Sequence, residues 1–206
     1  MHQSSTFKSS IRLYGLTRKN SDGQYQEVSC TTTSNGISVV RVFVSRLDAE
    51  LAAQNSDLEA QPLSQFFCPS VLAEQEGGLN LHICLGFAAK NRQLLIQNEQ
   101  LVPMGWFTHI DVRSWGEGYY LNWGDELPSK LGGIYNLLKL ADYNAFLNTL
   151  DAAHPKEMHW HKTEAIGVMS THDAETTSWD QVALFDPIDC RWCFGSTAGS
   201  YQIHVN

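Results

Sequence analysis

The run Glu157-Met158-His159-Trp160-His161-Lys162-Thr163 comes nearest, by residue type and spacing, to a set of metal ligands. The segment 157–166 reads as a β-strand. A period of two then sends Glu157, His159 and His161 to one face, offering two imidazoles and a carboxylate to one divalent transition metal. Tetrahedral zinc needs at least a third protein ligand, and two other strands carry comparable pairs at i and i+2, His82 with Cys84 and His109 with Asp111. On this reading the chain is a metal-dependent hydrolase. His159 and His161 ligate, and Glu157, His109 or Asp111 completes the shell or acts as base. The plainer reading puts both histidines on the wet face of an edge strand while Met158 and Trp160 pack inward. A His-x-His pair alone lacks the specificity of a full motif. The plainer reading takes precedence, so no cofactor is expected and the metal belongs to the alternative alone.

Cys190-Arg191-Trp192-Cys193 has the spacing of a redox or zinc-knuckle pair. In a strand, however, its two thiols point to opposite faces and cannot chelate one ion or close a disulfide. The turn-like Phe194-Gly195-Ser196-Thr197-Ala198-Gly199 that follows does not supply the helix N-terminus that activates a thioredoxin-like thiol. Cys68 before Pro69 stands at a candidate helix start, where a packed thiol is the simpler reading than an activated nucleophile. No P-loop, G-x-G-x-x-G, G-x-S-x-G, H-E-x-x-H or EF-hand pattern is present.

The most distinctive local composition lies between Trp106 and Trp123, where Trp106, Phe107, Trp115, Tyr119, Tyr120 and Trp123 are interleaved with Asp111, Glu117, Asp125 and Glu126. Exposed rings beside carboxylates stack on sugars or anchor a protein interface, whereas buried ones merely fill the core. The expected interaction surface is an acidic rim of Asp111, Glu117, Asp125 and Glu126 around Trp115, Tyr119 and Trp123. The charges steer a partner and the rings hold it.

These residues must be positioned by elements that the hydrophobic pattern outlines. Ile11–Leu16 and Tyr25–Thr32 flank the turn formers Lys19–Gly23 and predict a β-hairpin. Ile37–Val44 is apolar on both faces and predicts a central strand. Ser45 as N-cap with Asp48 three residues on, and Leu47 and Leu51 at i and i+4, predict a helix to about Gln54. A second short helix is expected from Pro69 to Glu76, ended by Gly77-Gly78. From Leu79 to Trp123 the chain reads as strands, with Gly105–Arg113 and Gly118–Trp123 forming a second hairpin. Tyr143–Ala153 predicts a helix capped by Asp142 and stopped by Pro155. Strands are expected again at 157–166, Trp179–Asp186, Cys190–Phe194 and Tyr201–Val205, with Asp186–Asp189 as a turn. Elements that come in clumps predict an α+β fold with a mainly antiparallel sheet and two to four helices.

The 206 residues suffice for one domain with a real core, with a weak subdivision near residue 100 as the alternative. Fourteen basic against 22 acidic residues give a formal charge of −8. That charge repels phosphate backbones and anionic lipid, excludes nucleic-acid and membrane partners, and attracts a basic protein. There is no secretory signal, no apolar run near the roughly 18 residues of a membrane span, and an odd five cysteines, which together predict a soluble cytoplasmic protein with reduced thiols. The expectation leans away from an enzyme. It is a non-enzymatic protein-binding module of inhibitor, adaptor or toxin-neutralising type. The metal-dependent hydrolase is the first alternative and a carbohydrate-binding module using the same rings the second.

Overall fold

A computed structural model describes residues 6–9, 11–19, 21–22, 25–32, 36–63, 78–111, 113–115, 118–121, 125–140, 143–174 and 178–197. The first half contains β1 (Thr6–Ser9), β2 (Tyr14–Lys19), β3 (Tyr25–Val28), β4 (Cys30–Thr32), β5 (Ser38–Phe43), α1 (Arg46–Ala52), β6 (Glu59–Pro62), β7 (Gly78–Lys90) and β8 (Gln93–Gln97). There follow β9 (Gln100–Leu101), β10 (Pro103–Asp111), β11 (Arg113–Trp115), β12 (Gly118–Leu121), α2 (Glu126–Leu138), α3 (Tyr143–Ala152), α4 (Pro155–Gly167), β13 (Thr171–Asp173), β14 (Gln181–Asp186) and β15 (Arg191–Ser196). Among the described residues twelve strands form one sheet, and β1, β12 and β11 form a second of three. Most pairings are antiparallel, with β5–β7, β8–β13 and β1–β12 parallel, so the fold is α+β as expected.

The predicted central strand is β5. It pairs with β2 and β4 along one edge and with β7 along the other, which explains why both its faces are apolar. β7 is the spine of the sheet, and residues 81–89 are all buried. One edge of β7 is lined first by β5 and then by β14, the other by β10 and then β8, so strands from both sides of residue 100 share one sheet. The exchange of neighbours coincides with a bulge, where Met104 pairs with Gly86 and Gly105 with Cys84. Gly86 has φ +145°, which L side chains rarely adopt, and a Cβ on Gly105 would lie 1.8 Å from the Ile83 carbonyl oxygen.

Val40, Val42, Leu81, Ile83 and Leu184 form the core on one face, under Leu127, Leu131, Ile134, Tyr135 and Leu138 of α2. Phe43, Phe87, Phe185 and Trp192 form the core on the other, with Leu47 and Leu51 of α1 and Met158 and Ala165 of α4. Burying each of these phenylalanines contributes about 2–3 kcal/mol. The Trp192 indole N–H donates to the Ala165 carbonyl at 3.0 Å and ties β15 to α4.

The hairpin of β2 and β3, the helix after Ser45, the strand run from residue 78, the helix at 143–152 and the turn after Asp186 match the sequence expectation. The Ser45 hydroxyl accepts from the Asp48 N–H at 3.2 Å, and the Asp186 carboxylate accepts from the N–H groups of Ile188 and Asp189. The expected helix at Pro69–Glu76, Cys68, the Asp142 cap and the strand at Tyr201–Val205 lie outside the described residues.

Two corrections follow from helices. Segment 157–166 is not a strand but the body of α4. His154 caps it, Pro155 opens it and Glu157 occupies its first turn. α2, a helix that the sequence reading did not anticipate, holds Gly132 and Gly133 in its interior. There a cost of about 1 kcal/mol per glycine is outweighed by five buried side chains at helical spacing. Among the described residues no helix is long and apolar enough to cross a membrane.

Candidate functional site

The aromatic segment is divided between two sheets. The expected hairpin arm Gly105–Arg113 instead ends in β10, because residues 103–111 find a long partner in β7. The hairpin is made by β11 and β12, with Arg113 opposite Tyr120, Ser114 opposite Tyr119 and Trp115 opposite Gly118. Asp111, Trp115 and Tyr119 therefore sit on three successive strands, and Glu117 and Trp123 lie outside the described residues. Asp125 occupies the N-cap position of α2 and is exposed, with no side-chain capping bond. Glu126 follows it and pairs with Lys130 at 2.8 Å. The same Lys130 ammonium lies 4.2 Å from the centre of the Trp106 ring, which is partly buried against the core. One acid of the expected rim is thus already neutralised, and Trp106 serves the core.

The histidines separate. Residues i and i+2 on a helix diverge by about 200°, so the face that a strand would have given His159 and His161 does not exist. His159 is exposed. His161 is buried, with no hydrogen bond at Nδ1 among the described residues, and burial lowers its pKa against the opposing pull of Glu157. The packing is likewise redistributed, since Met158 is buried while Trp160 is 48% exposed. His82 and Cys84 do share a face, with Sγ 3.9 Å from Nδ1. Burial pushes the Cys84 thiol up to about 12, so it stays protonated and is no nucleophile at neutral pH. His109 lies 2.8 Å from the Asn80 side-chain oxygen. Among the described residues no three His, Cys, Asp or Glu side chains gather as a metal site. Cys190 stands in the turn before β15 with φ +48°, its thiol directed at the Pro187 carbonyl, and Cys193 is buried in β15 opposite Leu184. Both are free thiols.

A polar cavity of about 480 Å³ was not anticipated. It is lined by Arg12, Tyr14, Arg46, Ala60, Gln61, Pro62 and Asp151. Register builds it: Tyr14 pairs with Phe43 on one side and Pro62 on the other, and the chain leaves Phe43 through the Ser45 cap to place Arg46 at the first turn of α1. The last turn of α3 brings in Asp151, whose carboxylate accepts from the Tyr14 hydroxyl at 2.5 Å and meets Arg12 at 3.4 Å. Burial raises the Asp151 pKa, while Tyr14, Arg12 and Arg46 oppose it. Tyr14 is pushed up first by burial and then by Asp151. The phenol is held neutral, and the carboxylate is engaged by Tyr14 and Arg12. The local sequence carries no signal for it, because Tyr14 and Asp151 stand 137 positions apart.

Comparison with protein-family models, with curated proteins and with solved structures finds no match.

Proposed function

We propose that this chain is a non-enzymatic binding protein that takes another protein on the aromatic and acidic segment around β11 and β12. The observation that carries the reading is topological. This hairpin belongs to a three-stranded sheet of its own, and β11 ends that sheet, paired only with β12 among the described residues. A strand edge flanked by aromatic residues is a surface that a partner recognises by main-chain hydrogen bonds and by ring contacts. The chain's net charge of −8 favours a basic partner, whose approach it accelerates. Asp125 contributes to that field more than Glu126, which Lys130 neutralises. The residues that would anchor the partner are Trp115, Tyr119 and Trp123, within the rim of Asp111, Glu117, Asp125 and Glu126.

The test is comparative capture from extracts of the native host. The wild-type chain is set against Trp115→Ala combined with Trp123→Ala, with circular dichroism used to establish that the variant is folded. Loss of one or a few partners, by tenfold or more in recovered amount, is the expected result. Equal recovery by the folded variant refutes the reading. A glycan array run in parallel separates the carbohydrate-binding alternative, which uses the same rings.

A further inference from the structure

We propose that the cavity between the start of β2, the end of β6, the first turn of α1 and the last turn of α3 binds a small organic molecule carrying one carboxylate, held by the guanidinium groups of Arg12 and Arg46. Two observations support the site. Arg46 lines the cavity, is only partly buried, and its guanidinium acts on Asp151 by charge alone, with no side-chain hydrogen bond or ion pair among the described residues. Arg12 is 59% exposed at its side chain; it donates to the Tyr14 hydroxyl oxygen and meets Asp151 at 3.4 Å, and these two contacts leave further N–H donors of its five-donor fork for a ligand. A planar guanidinium with unused donors in a concave polar site matches a carboxylate in geometry and charge.

Charge selects the ligand further. Two arginines and an ionised Asp151 give the cavity one net positive charge, in a chain that is strongly acidic as a whole. A monoanion neutralises that charge, whereas a dianionic phosphate overshoots it and meets Asp151 as a like charge. The volume is that of a small-molecule pocket, and Gln61 with Ala60 and Pro62 offers both a polar and an apolar wall to the remainder of the ligand. Asp151 orients Arg12 and occupies the Tyr14 hydroxyl, so recognition falls to the two guanidinium groups.

The test follows the arginine Nε–H signals of the full chain by nuclear magnetic resonance during titration with sodium benzoate, and separately with inorganic phosphate. Sodium chloride at matched ionic strength is the control. Saturable shifts at Arg12 and Arg46 with benzoate, weaker with phosphate, are expected. Arg12→Gln and Arg46→Gln each weaken benzoate binding by about tenfold, the loss of one charge-assisted contact. Asp151→Asn strengthens it, because it removes the like charge while keeping an acceptor for Tyr14. If Arg46→Gln alters the fold, the exposed Arg12→Gln carries the same comparison. Shifts no larger than those with chloride, phosphate binding tighter than benzoate, or unchanged affinity in the folded variants each overturn the proposal.

Discussion

Asp48 sits in the first turn of α1 as the acidic member of a half-formed capping box. Its N–H donates to the Ser45 hydroxyl, but among the described residues neither carboxylate oxygen has a hydrogen-bond partner, and the side chain is buried. Burial pushes its pKa up to about 7 from 3.8, with Ser45 opposing. The folded state therefore holds a proton over the interval from pH 3.8 to 7 in which the unfolded chain has released it. The stability this group contributes is complete below the lower value and is lost as pH rises through the higher one. Asp48→Asn should abolish that slope and be more stable than wild type at pH 8 by on the order of 2–4 kcal/mol. Urea unfolding of both proteins at pH 4, 6 and 8 measures it, and a stability difference between Asp48→Asn and wild type that does not grow from pH 4 to 8 contradicts it. The Ser45 cap itself was legible in the sequence because capping is local. The burial of Asp48 was not, because it depends on what packs over the helix.

Among the elements, β10 and α2 show how one substitution takes opposite signs. At the β7–β10 bulge a Cβ on Gly105 would strike the backbone of Ile83 and Cys84, so neither strand can yield without breaking the ladder that carries both cores. Gly105→Ala should cost more than ~3 kcal/mol or prevent folding. A Cβ on Gly132, inside α2, meets nothing within 4 Å. Gly132→Ala should therefore stabilise by about 0.5–1 kcal/mol through helix propensity and a less flexible unfolded chain. Denaturant midpoints of the two variants check the pair, and a neutral Gly105→Ala refutes the close approach. The alternation in Leu79–Leu85 predicted a strand, and one of thirteen residues was observed. In α4 the pattern misled because the helix packs few of its residues, with Met158, His161 and Ala165 buried and the rest largely polar, so no strong helical stripe exists to compete with a strand reading.

At the scale of the whole molecule, the two sheets differ in how much holds them. Residues 81–89 are buried, and β7 has neighbours along both its edges, whereas the strands of the smaller sheet are three or four residues long. Amide hydrogen exchange should find the slowest protons in β5 and β7, exchanging only by global unfolding. The β11–β12 hairpin should exchange by a local opening of lower free energy. Equal protection in both sheets runs against this division.

The sequence by itself determined the α+β class, the strand with two apolar faces at the centre of the sheet, the first hairpin, the Ser45-capped helix and the acidic charge balance. Each of these is a property of neighbouring residues or of the whole composition. Only the tertiary structure decided the rest. It parted His159 from His161 by making their segment helical, sent the expected hairpin arm Gly105–Arg113 to pair with β7, and gathered Arg12, Tyr14, Arg46 and Asp151 around one cavity. The cavity was invisible because its members meet through strand register and helix packing, and those contacts leave no periodic trace in the chain.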